Sequence, residues 1–428
     1  MASNKPPQRA PLMSLDEALS QVLAQARVLP DTESVAILDA DGRFLAEDLI
    51  SGLQVPPQDN SSMDGYAVRL EDLPMAGAKL KVTQRIPAGQ SGHALLAGEA
   101  ARIFTGAPIP PGANAVVMQE DTQALDTESQ QEGHPVVQVN VLPTQGQWIR
   151  RSGEDVRKGD IVLPKGTRLN PASLGLAASI GRAQVRVIRK PRVALFSPGD
   201  ELVMPGAVAP EAMRPGAIYN SNRFFLRALL MRAGCEVTDL GIVPDNLPDT
   251  LKVLKAAAQG HDLVLTSGGV SVGEEDHVKP AVEQLGHLNL WQISMKPGKP
   301  FAFGQLNVQD TSKQAAAYFM GLPGNPVSSF VTFQLLVRPF LLALQGVSSV
   351  QAEPLHMRAD FNLPKPDKRR EFLRVKRNAK GGLDLFPNQS SGVVTSVVWG
   401  DGVVDNAGSN SIQSGDAVRF YPFSEWLQ

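Results

Sequence analysis

From Lys190 onward, short apolar runs alternate with helical patterns, and this alternation constrains the fold more than any other feature of the chain. The runs VALFS, EVTDLGIV, DLVLTS, FAFG and AYFMGL are interleaved with apolar positions at helical spacing over 221–233, 249–259 and 280–285. Such a pattern predicts parallel strands joined by crossover helices. A last helix starts at Pro326 with Asn325 as its cap, kinks near Pro339 and closes this region at about Leu344.

In an open parallel sheet, ligands bind beyond the carboxyl ends of the strands, so the residues directly after each run carry the information. VALFS is followed by Asp200 and Glu201, GIVP by Asp245, and DLVL by TSGGVSVGEED, which ends at Glu274, Glu275 and Asp276; KPGKP adds Lys296 and Lys299. A Pro-Gly spacer between two lysines makes a stiff basic loop suited to phosphate. Glycines at 268, 269 and 273 let backbone N–H groups approach phosphoryl oxygens. Carboxylates of this kind suit Mg²⁺, which is usually held by one or two of them together with substrate phosphate and water. GLPGNPVS at 321–328 adds a second tight turn running into a helix N-terminus, where an anion is again favoured. Chemistry on a phosphate or phosphoanhydride is expected.

Each residue also has an ordinary explanation. An acid beside glycine after a strand is a common turn or cap residue, and two lysines in a loop are commonly solvated. The functional reading rests on several such loops meeting at one sheet edge. The basic runs at 182–192 and 365–380 read as solvated strand faces, of which only an inward-pointing member such as Arg374 would matter. GVSVG at 269–273 matches the G-x-S-x-G nucleophile elbow, so a serine hydrolase using Gly269, Ser271 and Gly273 is an alternative, although neither His287 nor His356 lies in a recognisable catalytic loop. Neither a dinucleotide fingerprint nor a P-loop is present.

The remaining chain divides into pieces of different grammar. Leu15, Ala18, Leu19, Val22, Leu23 and Ala26 recur at helical spacing behind Ser14. Between Leu53 and Val141, short β-branched runs separated by Pro and Gly predict a β-rich insertion, with an exposed hairpin tip at 122–134. Residues 150–181 return to a turn and a short helix, so the first domain is expected to be discontinuous. Beyond Val350 the alternation predicts a small barrel or sandwich. We expect domain I at 1–53 plus 150–185, β-rich domain II at 54–149, α/β domain III at 186–345 and β-barrel domain IV at 346–428. The fold class is thus multidomain α/β plus β, with a central doubly wound domain.

The 41 basic and 43 acidic residues nearly cancel, so no global field favours nucleic acid or an anionic membrane. The lone Cys235 cannot form an internal disulfide, the N-terminus lacks a signal pattern, and the greasiest stretch, 330–344, carries Arg338 and Pro339. A cytoplasmic protein that does not enter the membrane is expected.

The blocks PPQDNSSMDGYAV, RIFTGAPIPPGANAVVMQE, IRRSGEDVRKGD, SPGDEL, TSGGVSVGEED, KPGKPFAFG and GLPGNPVS, in this order, resemble the MoeA-type molybdopterin molybdenumtransferase family, which includes the gephyrin E domain. The resemblance covers nearly the whole chain; SPGDEL departs from the family's Thr-Gly-Asp-Glu-Leu. It implies a homodimer of four-part subunits that takes adenylylated molybdopterin, hydrolyses its phosphoanhydride with a divalent metal, and inserts molybdate at the dithiolene to release AMP. Glu201, Asp245 and Asp276 would then shape a Mg²⁺ and phosphate site, and Lys296 and Lys299 would hold oxyanions. Ser267, Gly268, Gly269, Ser271, Pro323, Gly324 and Asn325 would bind substrate. Asp59 and Thr105 would reach the partner subunit's pocket, and Arg374 and Ser391 would line the pocket from domain IV. The molybdopterin adenylyltransferase of the preceding step shares the α/β turns, but the blocks around Asp59 and Thr105 argue against that assignment; it becomes instead a transient partner. A non-catalytic scaffold is a further alternative, disfavoured because the chain opens almost directly on its first helix.

Overall fold

The computed structural model describes residues 12–125, 133–270, 277–307 and 316–427. The chain forms two compact units, one from Met1–Glu33, Gly42–Ala46 and Arg186–Gln428, the other from Ser34–Asp41 and Glu47–Val185.

The first unit begins with α1 (Leu15–Gln25), whose first turn is tied by Glu17 N–H donating to the Ser14 hydroxyl at 3.1 Å. Its buried stripe, Leu15, Ala18, Leu19 and Val22, joins a core with Phe330, Phe333 and Phe340. The α/β layer then runs β1 (Arg192–Pro198), α2 (Asn222–Arg232), β2 (Glu236–Val243), α3 (Leu247–Ala258), β3 (Leu263–Ser267), α4 (Val278–Leu285), β4 (Gly286–Gln292), β5 (Pro300–Leu306) and β6 (Ala317–Leu322). These make a six-stranded sheet in the order β2-β1-β3-β6-β5-β4. Period-two alternation along β1 sends Val193 and Leu195 to one core, Ala194 and Phe196 to the other, which is why the strand is apolar throughout.

One expectation fails. Strands β1, β2, β3 and β6 are parallel, but β5, the FAFG run, is antiparallel to both β6 and β4. Only residues 293–299 separate β4 from β5, too few for a crossover helix, so the chain must reverse and the sheet is mixed.

After β6 the chain is helical from Pro326 to Leu344: α5 (Pro326–Thr332), a π-turn over Phe333–Val337, and α6 (Arg338–Leu344). The wider π-turn lies directly before Pro339, whose ring would crowd the preceding carbonyls of a regular helix. At 19 residues, with the bounds the sequence suggested, this helix is apolar enough to cross a membrane by length and composition, but 83% of its most apolar window is buried, which marks a core helix. Asn325 does not cap it through its side chain; Val327 N–H instead donates to the Ser391 carbonyl at 2.9 Å.

Strands Leu355–Ala359, Arg370–Arg377, Gly382–Leu385, Gly402–Asn406 and Ala417–Pro422 pair around a closed circuit, so the C-terminal choice between barrel and sandwich resolves to a barrel. Its interior holds Leu373, Val375, Leu383, Val404 and Phe420. The short strand Met295–Lys296 adds in parallel to Arg370–Arg377 and ties the α/β loops to the barrel.

The second unit carries its own six-stranded sheet, in which Gly65–Val68 lies between Ala115–Met118 and Glu99–Ile103. Ala78–Ile86 continues it, parallel to Glu99–Ile103. Thr122–Ala124 and Val136–Val139 pair antiparallel as the arms of the expected hairpin, whose residues 126–132 lie outside the described ones. The short helix expected within 150–181 is Pro171–Ser179, closed by reciprocal bonds between Asn170 and Ser173.

Candidate active site

A cavity of about 970 Å³ opens at the carboxyl edge of β1, β3 and β6, roofed by barrel residues Arg369 and Gln389 to Gly392. Its floor is a polar lock. Asn222 Nδ2, on the first turn of α2, donates to Ser267 Oγ at 2.8 Å and to the Gly324 carbonyl at 2.7 Å. Ser267 Oγ lies 3.2 Å from both the Pro323 carbonyl and Ser329 Oγ, and Gly268 N–H donates to the Leu322 carbonyl at 2.9 Å. The two glycine turns are thereby held side by side, bringing together Ser267, Gly268, Pro323, Gly324 and Asn325 as expected. With its cap role taken by the Ser391 carbonyl, the exposed Asn325 side chain lies on the cavity wall. Gly269 does not line the cavity: a Cβ there would stand 2.5 Å from Val278 Cγ2, so it serves close packing against α4. Ser271, Gly273 and Asp276 lie outside the described residues.

Glu201 reaches the wall with its carboxylate folded over Gly199, where a Cβ would lie 2.6 Å from Oε2. Asp245, at the end of β2, is not on the wall; its N–H donates to Asp200 Oδ1 at 3.1 Å. Among the described residues no group of three or more His, Cys, Asp or Glu side chains is placed to hold a metal ion.

The two lysines part company. Lys296 stands directly opposite Glu371 in the strand register, and its Nζ lies 3.1 Å from Glu371 Oε1 and 3.5 Å from Asp367 Oδ2. Lys296 also lines the cavity wall, so its ammonium is shared between the barrel seam and the cavity. Lys299, half-buried on the wall, has no carboxylate partner among the described residues. Arg369 also faces the cavity, with Nε and Nη2 each 2.9 Å from the Asp367 carboxylate, whose pKa its guanidinium holds well below the usual range.

Between the lysines, Gly298 adopts φ +111°, and a Cβ there would meet Thr332 Oγ1 at 2.5 Å and Met295 Cε at 2.8 Å. Gly298→Ala is expected to cost about 1–3 kcal/mol of stability and to displace Lys299. A thermal melt matching the parent protein would refute this account of the loop.

Arg374 is buried, 1% exposed, but on the face of its strand opposite the barrel-interior residues Leu373 and Val375, and it does not line the cavity. Its Nη1 donates to the Phe372 carbonyl at 2.9 Å, its Nε to Ser396 Oγ at 3.2 Å and its Nη2 to the Ser390 carbonyl at 3.4 Å. Burial pushes its pKa down to about 10. It thus holds the loop that presents Ser391, which does line the cavity.

In the second unit, Asp59 and Thr105 have different partners. Asp59 accepts from Ser152 N–H at 2.8 Å and from Arg151 Nη1 at 2.6 Å. Thr105 donates from both its N–H and its hydroxyl to Asp64 Oδ1, each at 2.8 Å, and these bonds hold the Asp64 pKa below its ordinary value. Sequence reasoning passed over Asp64, Asn222 and Arg369. Asp64 and Asn222 resemble a turn residue and a helix cap, and nothing local in KPDKRREF marks Arg369 as the cation that reaches the cavity.

Such an arrangement is that of an α/β enzyme whose site, at the carboxyl ends of its strands and roofed by a β-barrel, is built of turns and cations that favour an anionic ligand. Three family models match consecutive parts of the chain: MoeA N-terminal region (domain I and II) at 13–181, Probable molybdopterin binding domain at 194–343, and MoeA C-terminal region (domain IV) at 356–423. A molybdopterin molybdenumtransferase of Haemophilus influenzae is 41% identical over 97% of this chain and all of its own length. One of Bacillus subtilis is 33% identical over 95% of this chain and 93% of its own. The crystal structure of a molybdopterin biosynthesis moeA protein from Pyrococcus horikoshii superposes with a TM-score of 0.79 at 28% identity, covering 96% of this chain and 99% of that one. The chain belongs to the MoeA family of molybdopterin molybdenumtransferases.

Proposed function

We propose that this protein hydrolyses adenylylated molybdopterin and inserts molybdate at its dithiolene, releasing AMP. The observation that carries the reading is the cavity itself: Lys299, with no carboxylate partner among the described residues, lines it together with two glycine turns and the Glu201 carboxylate. Water adds to phosphorus as the anhydride P–O bond breaks, and the two dithiolene thiols displace one molybdate oxygen, which takes their two protons and leaves as water. Lys299 and the turn amides stabilise the oxyanions, and the floor network keeps those amides in place. The sulfur donors come from the pterin, so the protein needs no cysteine cluster.

Carboxylate oxygens are the hard donors that Mg²⁺ takes, and Glu201, on the cavity wall, would hold it together with substrate phosphate and water. Bound there, Mg²⁺ would neutralise charge on the phosphoryl oxygens. We further propose a homodimer in which the segment bearing Asp59, Asp64 and Thr105 completes the partner's cavity, a cytoplasmic setting, and transient receipt of substrate from the adenylyltransferase of the preceding step. Neither alternative, a Ser271 hydrolase or a scaffold, gains support from the family matches.

Purified protein given adenylylated molybdopterin, Mg²⁺ and molybdate is expected to release AMP. Unchanged substrate would overturn the reading, and labelling of Ser271 by a fluorophosphonate would replace it with the hydrolase.

A further inference from the structure

The surface around Thr105 contains a cationic ladder that the reaction as described does not use. Phe104, directly before Thr105, is flanked by two guanidinium groups, with Arg85 Cζ 4.5 Å and Arg102 Cζ 4.8 Å from its ring centre. The two arginines stand opposite each other on the parallel strands Ala78–Ile86 and Glu99–Ile103. Arg102 also lies over the Tyr66 ring at 5.1 Å, and it donates to the Gly65 carbonyl at 3.1 Å and to Gln119 Oε1 at 2.7 Å. Those acceptors are neutral, and Gln119 stands between Arg102 and the Glu120 carboxylate, to which its own Nε2 donates at 3.3 Å. Among the described residues neither arginine has a carboxylate ion-pair partner; the Asp64 carboxylate feels Arg102 through space only.

Arg85 is the more telling of the two. It is exposed, its guanidinium is oriented by the phenyl face, and among the described residues it makes no hydrogen bond. A stacked guanidinium with its donors unspent is preorganised for bidentate bonding to an oxyanion, and like charges on adjacent strands gain most from an anion between them. We infer that Arg85, set by Phe104, binds a phosphoryl oxyanion of the nucleotide half of the substrate beside the Asp64–Thr105 pair. This rests on the transferase reading above and adds a binding residue to it. Phosphoryl oxygen is favoured over carboxylate because two positive charges flank the position, the two phosphoryl groups of the anhydride carry one negative charge each, and the AMP phosphate released carries nearly two.

The test is steady-state AMP release by the full chain for Arg85→Ala, Arg85→Lys and Phe104→Leu, beside direct titration with AMP. Arg85→Ala is expected to raise KM and the AMP Kd about tenfold or more with kcat nearly unchanged. Arg85→Lys keeps the charge but not the fork, so it is expected to recover only part of the loss, and Phe104→Leu to fall between. Added salt should weaken AMP binding by the parent protein more than by Arg85→Ala. Because Arg85 is exposed, its replacement should leave the melting temperature in place, which separates lost binding from lost fold. AMP release by the parent protein with KM and salt response unaltered in Arg85→Ala would overturn this inference alone. No AMP release by the parent protein would remove the transferase reading and the inference together.

Discussion

Lys299→Ala is expected to lower the rate of AMP release by about 10²- to 10³-fold, the usual effect of removing one preorganised oxyanion-stabilising group. The expectation follows from how charge is distributed along KPGK. Both lysines line the cavity, but the Lys296 ammonium is paired with Glu371 at 3.1 Å and Asp367 at 3.5 Å, whereas Lys299 has no carboxylate of its own among the described residues. The companion variant Lys296→Ala should behave differently. It leaves Glu371, only 4% exposed, without its ammonium partner, so the loss should appear first as a lower melting temperature and a looser seam between sheet and barrel. Measuring melting temperature and turnover for both lysines separates the two roles. Full turnover in Lys299→Ala, or the larger catalytic loss in a Lys296→Ala protein of unchanged stability, would contradict the assignment.

The second large effect concerns the second unit. Asp64→Ala removes the acceptor of both Thr105 bonds, so the hydroxyl loses its orientation and turnover is expected to fall about 10²-fold, the cost of a catalytic group displaced by roughly an ångström. Asp59→Ala breaks a latch to Arg151 and Ser152 instead, and is expected to cost about 1 kcal/mol of stability with a smaller change in rate. Thr105→Ala should match Asp64→Ala, and the double variant should add little, because the two side chains act as one unit. Additive losses, or an Asp59→Ala effect larger than that of Asp64→Ala, would show that the pairing seen here is not the one that matters in turnover.

Both predictions turn on charge pairing, the level at which sequence and structure part. The helix behind Ser14, the strand runs after Lys190, the glycine turns at their ends and the barrel-like tail were legible because period, capping and turn chemistry are local properties of the chain. The cavity edge was legible for the same reason: once the strands are placed, their carboxyl ends follow. Only the tertiary structure decided that β5 runs antiparallel, that Lys296 faces Glu371, that Arg374 supports a loop from the outer face of its barrel strand, and that Thr105 answers to Asp64 rather than to Asp59. Each of these depends on register between segments far apart in the chain. A one-residue change in register alters which charges meet while leaving every local pattern intact, so no local reading could have chosen among them.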